Sequence, residues 1–160
     1  MNLEEDAKFM AEAIEVAEKA RFWSSPNPWV GVVVVAKGQV VGKGFTGPFN
    51  ATDVAENSTQ PEEGFESSVG VHAEIAALAQ AGKFANGATL YTTLEPCNHH
   101  GRTSPCTDAI IQAGIKRVVV ALVDPDKRVS GSGVESLRSA GIEVDVGQNS
   151  AGAEKQLTPY

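Results

Sequence analysis

Apolar positions near the start of the chain repeat with the spacing of a helix. Charged residues fill the positions between them, and the apolar set is Phe9, Met10, Ala13, Ile14, Val16, Ala17 and Ala20. A repeat of three or four positions predicts an amphipathic helix. Pro26 and Pro28 follow in the segment 24–28, and each disfavours helical backbone at the residue before it. The helix is therefore expected to end before this segment.

Two apolar runs after the prolines predict a β-hairpin. Residues 30–36 and 39–45 are rich in valine, and only Lys37 and Gly38 separate them. A two-residue link that contains glycine is typical of a tight turn between antiparallel strands.

Helical and extended patterns alternate through the rest of the chain, after a polar stretch at 46–70 that is predicted as a long surface loop. The expected order is a helix at 72–81, a strand at 88–92, a loop at 95–105, a helix at 107–113, a strand at 117–123, a helix at 134–140 and a strand at 142–146. The tail 150–160 is weakly helical at best. Such alternation after a hairpin predicts an α/β fold, with a mixed sheet and helices on both faces.

Length and charge narrow the class of protein. The chain has 160 residues, which suits one domain at 1–149, with 46–70 as a loop insertion and 150–160 as a tail or interdomain connector. No apolar run approaches the about 18 residues that span a bilayer, and the first residues lack the basic start of a secretory signal, so a cytoplasmic protein without membrane contact is expected. The net charge of −7 disfavours nucleic acid as a partner. It permits one small phosphorylated molecule, which needs only one or two local cations.

Three short motifs carry the candidate chemistry: His72-Ala73-Glu74, Pro96-Cys97 and Pro105-Cys106. Each has a plain explanation when it is taken alone. A single histidine is usually packed or on the surface, a glutamate at a helix start complements the helix dipole, and lone cysteines are small buried residues. Together, His-x-Glu before Pro-Cys and a second cysteine follow the order of the zinc-dependent deaminases.

Zinc explains why these residue types are combined. A catalytic zinc site has three protein ligands and leaves its fourth position to water, and His72, Cys97 and Cys106 supply three. Glu74 is then the expected acid/base that moves protons. A closed structural zinc site is the alternative, with His99 or His100 as a fourth ligand. Structural sites usually space their cysteines more closely, and this alternative leaves Glu74 without a role.

The segment 95–106, Glu-Pro-Cys-Asn-His-His-Gly-Arg-Thr-Ser-Pro-Cys, closely resembles the pyrimidine deaminases of riboflavin biosynthesis, within the cytidine deaminase superfamily. Ser25-Pro26-Asn27-Pro28 and Asp124-Pro125-Asp126 match further motifs of that family, and the likeness covers about residues 8–146. The resemblance implies a three-layer α/β/α sandwich. It also implies zinc-dependent hydrolytic deamination of 2,5-diamino-6-ribosylamino-4(3H)-pyrimidinone 5′-phosphate with release of ammonia.

The same resemblance implies the groups that bind the substrate. Asn27 would contact the base or ribose. The other positions divide between the phosphate and the sugar: His99 and Arg102 for the phosphate, Asp124 and Asp126 for the sugar. Thr46 stands near a position that is often histidine in the family, and it is counted among the substrate-binding residues.

Some features depart from the family pattern. Besides Thr46, the loop 46–70 is long, and Asp126 replaces a frequent asparagine. These changes surround the substrate, so deamination of another small nucleoside, nucleotide or base is the second hypothesis, and an inactive zinc-stabilised domain is the third. The family further suggests a homodimer or larger assembly. Many members also carry a following reductase domain, so the chain is either a stand-alone deaminase or the deaminase part of a longer product.

Overall fold

The computed structural model describes residues 2–22, 28–47, 72–99 and 104–157. The strands are β1 Gly31–Ala36, β2 Gln39–Phe45, β3 Thr89–Leu94, β4 Arg117–Leu122 and β5 Glu143–Val146. The helices are α1 Leu3–Ala17, α2 Ala73–Ala81, α3 Cys106–Gln112, α4 Ser132–Ser139 and α5 Ser150–Leu157, with short 3₁₀ segments at Glu18–Phe22 and Gly82–Ala85. The loop predicted at 46–70 lies outside the described residues, except for its first two positions.

The strands form one mixed sheet in the order β2-β1-β3-β4-β5. β1 pairs antiparallel with both β2 and β3, whereas β3, β4 and β5 run parallel. The predicted hairpin and mixed sheet are thus confirmed, because parallel strands need the helical crossovers that the alternating pattern indicated. Within the described parts of the chain, no helix has both the length and the apolar character to cross a membrane.

The side chains of each strand alternate between two cores, one on each face of the sheet. One core contains Val32, Val34, Leu90, Val118 and Val120, packed with buried residues of α2, α3 and α4. The other contains Val33, Val35, Tyr91 and Val119, packed with residues of α1 and with Ala153 of α5. This arrangement is the predicted three-layer α/β/α sandwich.

The prediction for the tail was wrong, because residues 150–157 form the regular helix α5. Ala153 is fully buried. The side-chain amide of Gln156 donates to the carbonyl oxygen of Ile14 at 2.9 Å and to Oε1 of Glu18 at 2.8 Å. Packing against α1 therefore stabilises a helix whose local sequence favours it only weakly. The role of 150–160 as an interdomain connector stays a prediction.

A close contact at Gly44 sets the position of α2 on the sheet. A Cβ atom there would collide with the carbonyl oxygen of Ala73 and would lie 2.6 Å from the nitrogen of Ala77. Only glycine allows the first turn of α2 to lie this close to β2. Since His72 immediately precedes α2, this contact fixes where its imidazole can lie.

Candidate active site

Two strand ends and two helix starts meet at one edge of the sheet. β3 continues into residues 95–98, the metal-ligand loop, and the N–H of Glu95 donates to the carbonyl oxygen of Leu122 at 2.8 Å. His72 is the cap residue of α2, and Cys106 is the first residue of α3. The carboxyl edge of a parallel sheet is the usual place for an α/β active site.

His72, Cys97 and Cys106 come together there, with ligand atoms that all lie within 4.8 Å of one another. Nδ1 of His72 is 3.1 Å from Sγ of Cys106 and 3.6 Å from Sγ of Cys97. Tetrahedral zinc ligands at about 2.0–2.3 Å from the metal are separated from one another by roughly 3.3–3.8 Å. One imidazole and two sulfurs at these distances fit a catalytic zinc centre.

The surroundings of the two sulfurs shift their pKa values in opposite directions. The backbone N–H of Cys106 donates to Sγ of Cys97 at 3.2 Å. A hydrogen bond from the Cys106 thiol, helped by His72, lowers the pKa of Cys97 to about 4, while the same bond and burial raise the pKa of Cys106. Zinc binding would remove the proton of the Cys106 thiol, because a metal-bound cysteine must be a thiolate.

Glu74 lies beside the three ligands, in the first turn of α2. Its side chain is buried, and burial raises the pKa of its carboxyl group, against the opposing effects of a backbone hydrogen bond and of the charge on His72. A carboxyl group with a raised pKa can hold a proton nearer neutral pH and give it up again. The structure thus places a buried carboxyl group, suited to proton transfer, next to the candidate metal site.

Glu95 is a site residue that the sequence analysis quoted only as part of a motif. It is 6% exposed, and its carboxylate accepts four backbone hydrogen bonds. Oε2 accepts from Asp124 at 2.9 Å and Gly131 at 3.0 Å, whereas Oε1 accepts from Gly133 at 2.8 Å and Val134 at 3.1 Å. The sequence did contain a signal for this role, because Glu95 directly follows a buried strand. A carboxylate buried at such a position requires hydrogen-bond donors around it.

Asn98 makes a second connection from the metal-ligand loop. Its amide nitrogen donates to the carbonyl oxygen of Ser132 at 3.3 Å, and its Oδ1 accepts from Oγ1 of Thr107 at 2.9 Å. The loop is thereby attached to the starts of both α3 and α4.

Two of the predicted sugar contacts lie after β4. Asp124 is partly buried, and its Oδ1 accepts from the N–H of Asp126 at 2.9 Å. The carboxylate of Asp126 pairs with the exposed Arg128 at 2.6 Å, and the hydrogen bonds from Arg128 lower its pKa to about 2. The carboxylate of Asp126 is thus charged and already paired within its own turn.

The other predicted contacts are more scattered. Oγ1 of Thr46 accepts from the N–H of Val30 at 3.3 Å, which extends the pairing of β1 and β2. His99 is exposed and directly follows the metal-ligand loop. Asn27 and Arg102 lie outside the described residues, so their substrate contacts stay predictions.

Purified without chelators, the protein is expected to contain about one zinc ion per chain, and Cys97→Ala is expected to lose most of it because two ligands remain. Inductively coupled plasma mass spectrometry measures both. His99→Ala is the matched control. It should keep the metal if the site has three protein ligands, whereas loss of zinc from His99→Ala would indicate a closed structural site.

Comparisons with known proteins show the family of this chain. A sequence model described as the cytidine and deoxycytidylate deaminase zinc-binding region matches residues 3–122. Riboflavin biosynthesis protein RibD of Aquifex aeolicus is 52% identical over 142 residues, which cover 89% of this chain and 35% of that protein. Diaminohydroxyphosphoribosylamino-pyrimidine deaminase of Buchnera aphidicola is 43% identical over 150 residues, which cover 94% of this chain and 89% of that protein.

A solved structure shares the fold. It is a diaminohydroxyphosphoribosylaminopyrimidine deaminase/5-amino-6-(5-phosphoribosylamino)uracil reductase from Thermotoga maritima, with a TM-score of 0.80 and 40% identity. The match covers 98% of this chain and 40% of that one. The chain spans 35% and 36% of the RibD proteins of Aquifex aeolicus and Escherichia coli, so it corresponds to one part of those longer relatives.

The matched region contains the three candidate metal ligands and Glu74. The predicted fold, the zinc cofactor and the class of enzyme are confirmed together. This chain belongs to the zinc-binding family of cytidine and deoxycytidylate deaminases.

Proposed function

We propose that the chain catalyses the hydrolytic deamination of 2,5-diamino-6-ribosylamino-4(3H)-pyrimidinone 5′-phosphate in riboflavin biosynthesis. The observation that carries this proposal is the cluster of His72, Cys97 and Cys106 with the buried Glu74 beside it. The Buchnera aphidicola deaminase supports the choice of substrate, because it matches this chain over nearly the whole length of both.

The residues divide the chemistry between them. His72, Cys97 and Cys106 would hold Zn²⁺, which supplies a Lewis acid that makes water nucleophilic at neutral pH. Glu74 accepts a proton from the attacking water as the new carbon–oxygen bond forms at the carbon that bears the amino group. It donates that proton to the ring nitrogen, then accepts the second proton from the hydroxyl group on the tetrahedral carbon and passes it to the leaving amine, as the carbon–nitrogen bond breaks and ammonia departs.

A phosphorylated substrate requires a local cation on this acidic chain. Arg102 lies between the two cysteine ligands in sequence, and a guanidinium group matches phosphate geometry. We assign Arg102 and His99 to the phosphate, and Asn27, Thr46, Asp124 and Asp126 to the base and sugar. The position of Asp124, just past the carboxyl end of β4, supports this assignment because β3 and β4 end at the same edge of the sheet.

The test is ammonia release by the zinc-loaded protein on freshly generated diaminopyrimidinone ribosyl phosphate, with cytidine and deoxycytidylate as parallel substrates. Release from the first compound alone is expected. Release only from cytidine or deoxycytidylate would contradict the proposed substrate and would favour a deaminase of another nucleoside or nucleotide. Absence of release from all three would contradict the proposed function.

The proposal extends to partners. The Thermotoga maritima protein combines a deaminase with a reductase in its description, so a reductase that acts on the product is the partner that we propose, either in the same chain or as a separate protein. A homodimer in the cytoplasm is also proposed. The exposed Ile75 and Ile111, on the neighbouring helices α2 and α3, support a second copy as a partner.

A further inference from the structure

The carboxylate of Glu95 accepts hydrogen bonds from both ends of the segment that follows β4. Residues 123–131, the β4–α4 segment, run from the end of β4 to the start of α4. The N–H groups of Asp124 and Gly131, near its two ends, both donate to the same atom, Oε2 of Glu95. Glu95 is two positions before the ligand Cys97, so a single side chain connects this segment to the metal-ligand loop.

The rest of the segment is held by local bonds. The N–H groups of Val129 and Ser130 donate to the carbonyl oxygen of Asp126, at 3.0 and 2.8 Å. These bonds form turns within the segment and do not attach it to the sheet. Within the described residues, the hydrogen bonds from this segment to the metal-ligand loop both go to Oε2 of Glu95.

Capping of α4 explains only half of the contacts that Glu95 makes. A carboxylate commonly accepts hydrogen bonds from a helix start, and Oε1 does so with Gly133 and Val134. The bonds of Oε2 to Asp124 and Gly131 are additional to such a cap. A buried side chain that caps a helix and also joins two loop ends has a second role beyond the stability of that helix.

Backbone contacts keep the same two loops close together. A Cβ atom at Gly133 would collide with the carbonyl oxygen of Pro96 and would lie 3.2 Å from Cγ of Glu95. The amide of Asn98 also donates to the carbonyl oxygen of Ser132. The start of α4 thus rests directly on the residues around Cys97, and a shift of one loop must move the other.

We propose that Glu95 is a positioning residue that holds the β4–α4 segment, and Asp124 with it, in register with the metal ligands. The inference rests on the proposed function, in which Asp124 borders the sugar of the substrate. Glu95 then sets the distance between the group that binds the sugar and the centre where the amine is replaced.

Glu95→Gln is the informative change. An amide keeps the size of the side chain but has one oxygen, so its NH₂ group faces two N–H donors. We expect the bonds to Asp124 and Gly131 to be lost, because the segment is partly exposed and can turn away, whereas Gly133 and Val134 are buried in α4.

Loss of hydrogen bonds to a charged acceptor should speed amide hydrogen exchange at residues 124 and 131 by at least about tenfold. The same loss should raise KM at least about tenfold, with kcat changed by less than about threefold and the zinc content unchanged.

Two control variants separate positioning from stability. Glu135→Gln removes the same charge from an exposed position in the first turn of α4, and it should leave exchange and KM unchanged. Val144→Ala weakens the core at β5, away from both loops, and it should lower Tm without raising KM.

Unchanged exchange at residues 124 and 131 in Glu95→Gln would overturn the inference. An equal rise of KM in Val144→Ala would also overturn it, since general destabilisation would then explain the effect. Wild-type protein that releases no ammonia contradicts the proposed function instead, and the exchange measurement still decides the role of Glu95.

Discussion

Replacing Glu74 with glutamine is expected to lower kcat by about 10²–10⁴-fold, the usual contribution of a general acid/base. An amide can neither accept the proton of the attacking water nor return it to the leaving amine. The fold should tolerate the change, because glutamine has the size of the buried Glu74 side chain and burial raises the pKa of its carboxyl group, so loss of the charge costs little. Zinc should be retained, since the three ligands are unaltered.

Three measurements on the same preparation check this result. Ammonia release gives kcat, mass spectrometry gives the zinc content, and thermal unfolding gives Tm. Glu15→Gln, on the exposed side of α1, is a control with the same change of charge and should match the wild type in all three. A Glu74→Gln protein with wild-type kcat would contradict the assignment of Glu74 as the acid/base.

Replacing Arg117 with methionine is expected to lower the free energy of unfolding by about 3–5 kcal/mol, the usual effect of removing one partner from a buried ion pair. Arg117 donates to both carboxylate oxygens of Asp6, at 2.8 and 2.7 Å, and its side chain is 14% exposed against 4% for Asp6. Tyr91 donates a third bond to Asp6 at 2.8 Å, and Asp145 pairs with the other side of the guanidinium group. The cluster joins α1 to three neighbouring strands. Without Arg117, Asp6 stays buried and keeps Tyr91 as its remaining side-chain donor in this cluster.

Urea unfolding of both proteins measures this difference. Lys43→Met is the matched control, because Lys43 and Glu12 form an exposed pair, with side chains 47% and 26% exposed, and loss of such a pair costs less than about 1 kcal/mol. Equal effects of the two substitutions would show that the buried cluster contributes no more than a surface pair.

The difference between wild type and Arg117→Met should also depend on pH. The hydrogen bond from Arg117, opposed by burial and aided by Tyr91, lowers the pKa of Asp6 below its ordinary value. A carboxyl group with a lowered pKa in the folded state stabilises the fold fully above the pKa of the unfolded state, about 3.9, and loses that contribution as pH falls through the folded value. The difference in unfolding free energy should thus be constant from about pH 5 to 8 and should narrow below about pH 4. A difference that stays constant down to about pH 3 would contradict this role of Asp6.

Local patterns in the sequence were sufficient for the fold and for the three candidate metal ligands, which the structure brings together. The periodicity of α1, the valine-rich hairpin and the alternating segments each reflect which face of an element is buried, so they predicted the mixed sheet correctly. The ligands could be predicted because His72 and Cys106 adjoin helix starts, while Cys97 follows a strand. Those positions meet because parallel strands end, and the helices that follow them begin, at the carboxyl edge of the sheet.

Contacts between distant parts of the chain were not predicted. Asp6 and Arg117 are 111 residues apart, and Glu95 accepts from N–H groups 29 to 39 residues away. Such partners leave no periodic signal, and acidic residues in a helix start or after a strand are usually solvated. Helix α5 was missed for a related reason, since its stability comes from α1 at the opposite end of the sequence.

The attachment of the β4–α4 segment at both ends has a consequence for how such enzymes diversify. Because Asp124 and Gly131 are held by one oxygen of Glu95, the residues between them can change in number and kind while the anchor points stay in place. The ligands of the metal lie on other elements and need not adapt. Under the proposed function, substitutions within this segment would alter the surface that faces the substrate, while the candidate metal ligands keep their positions.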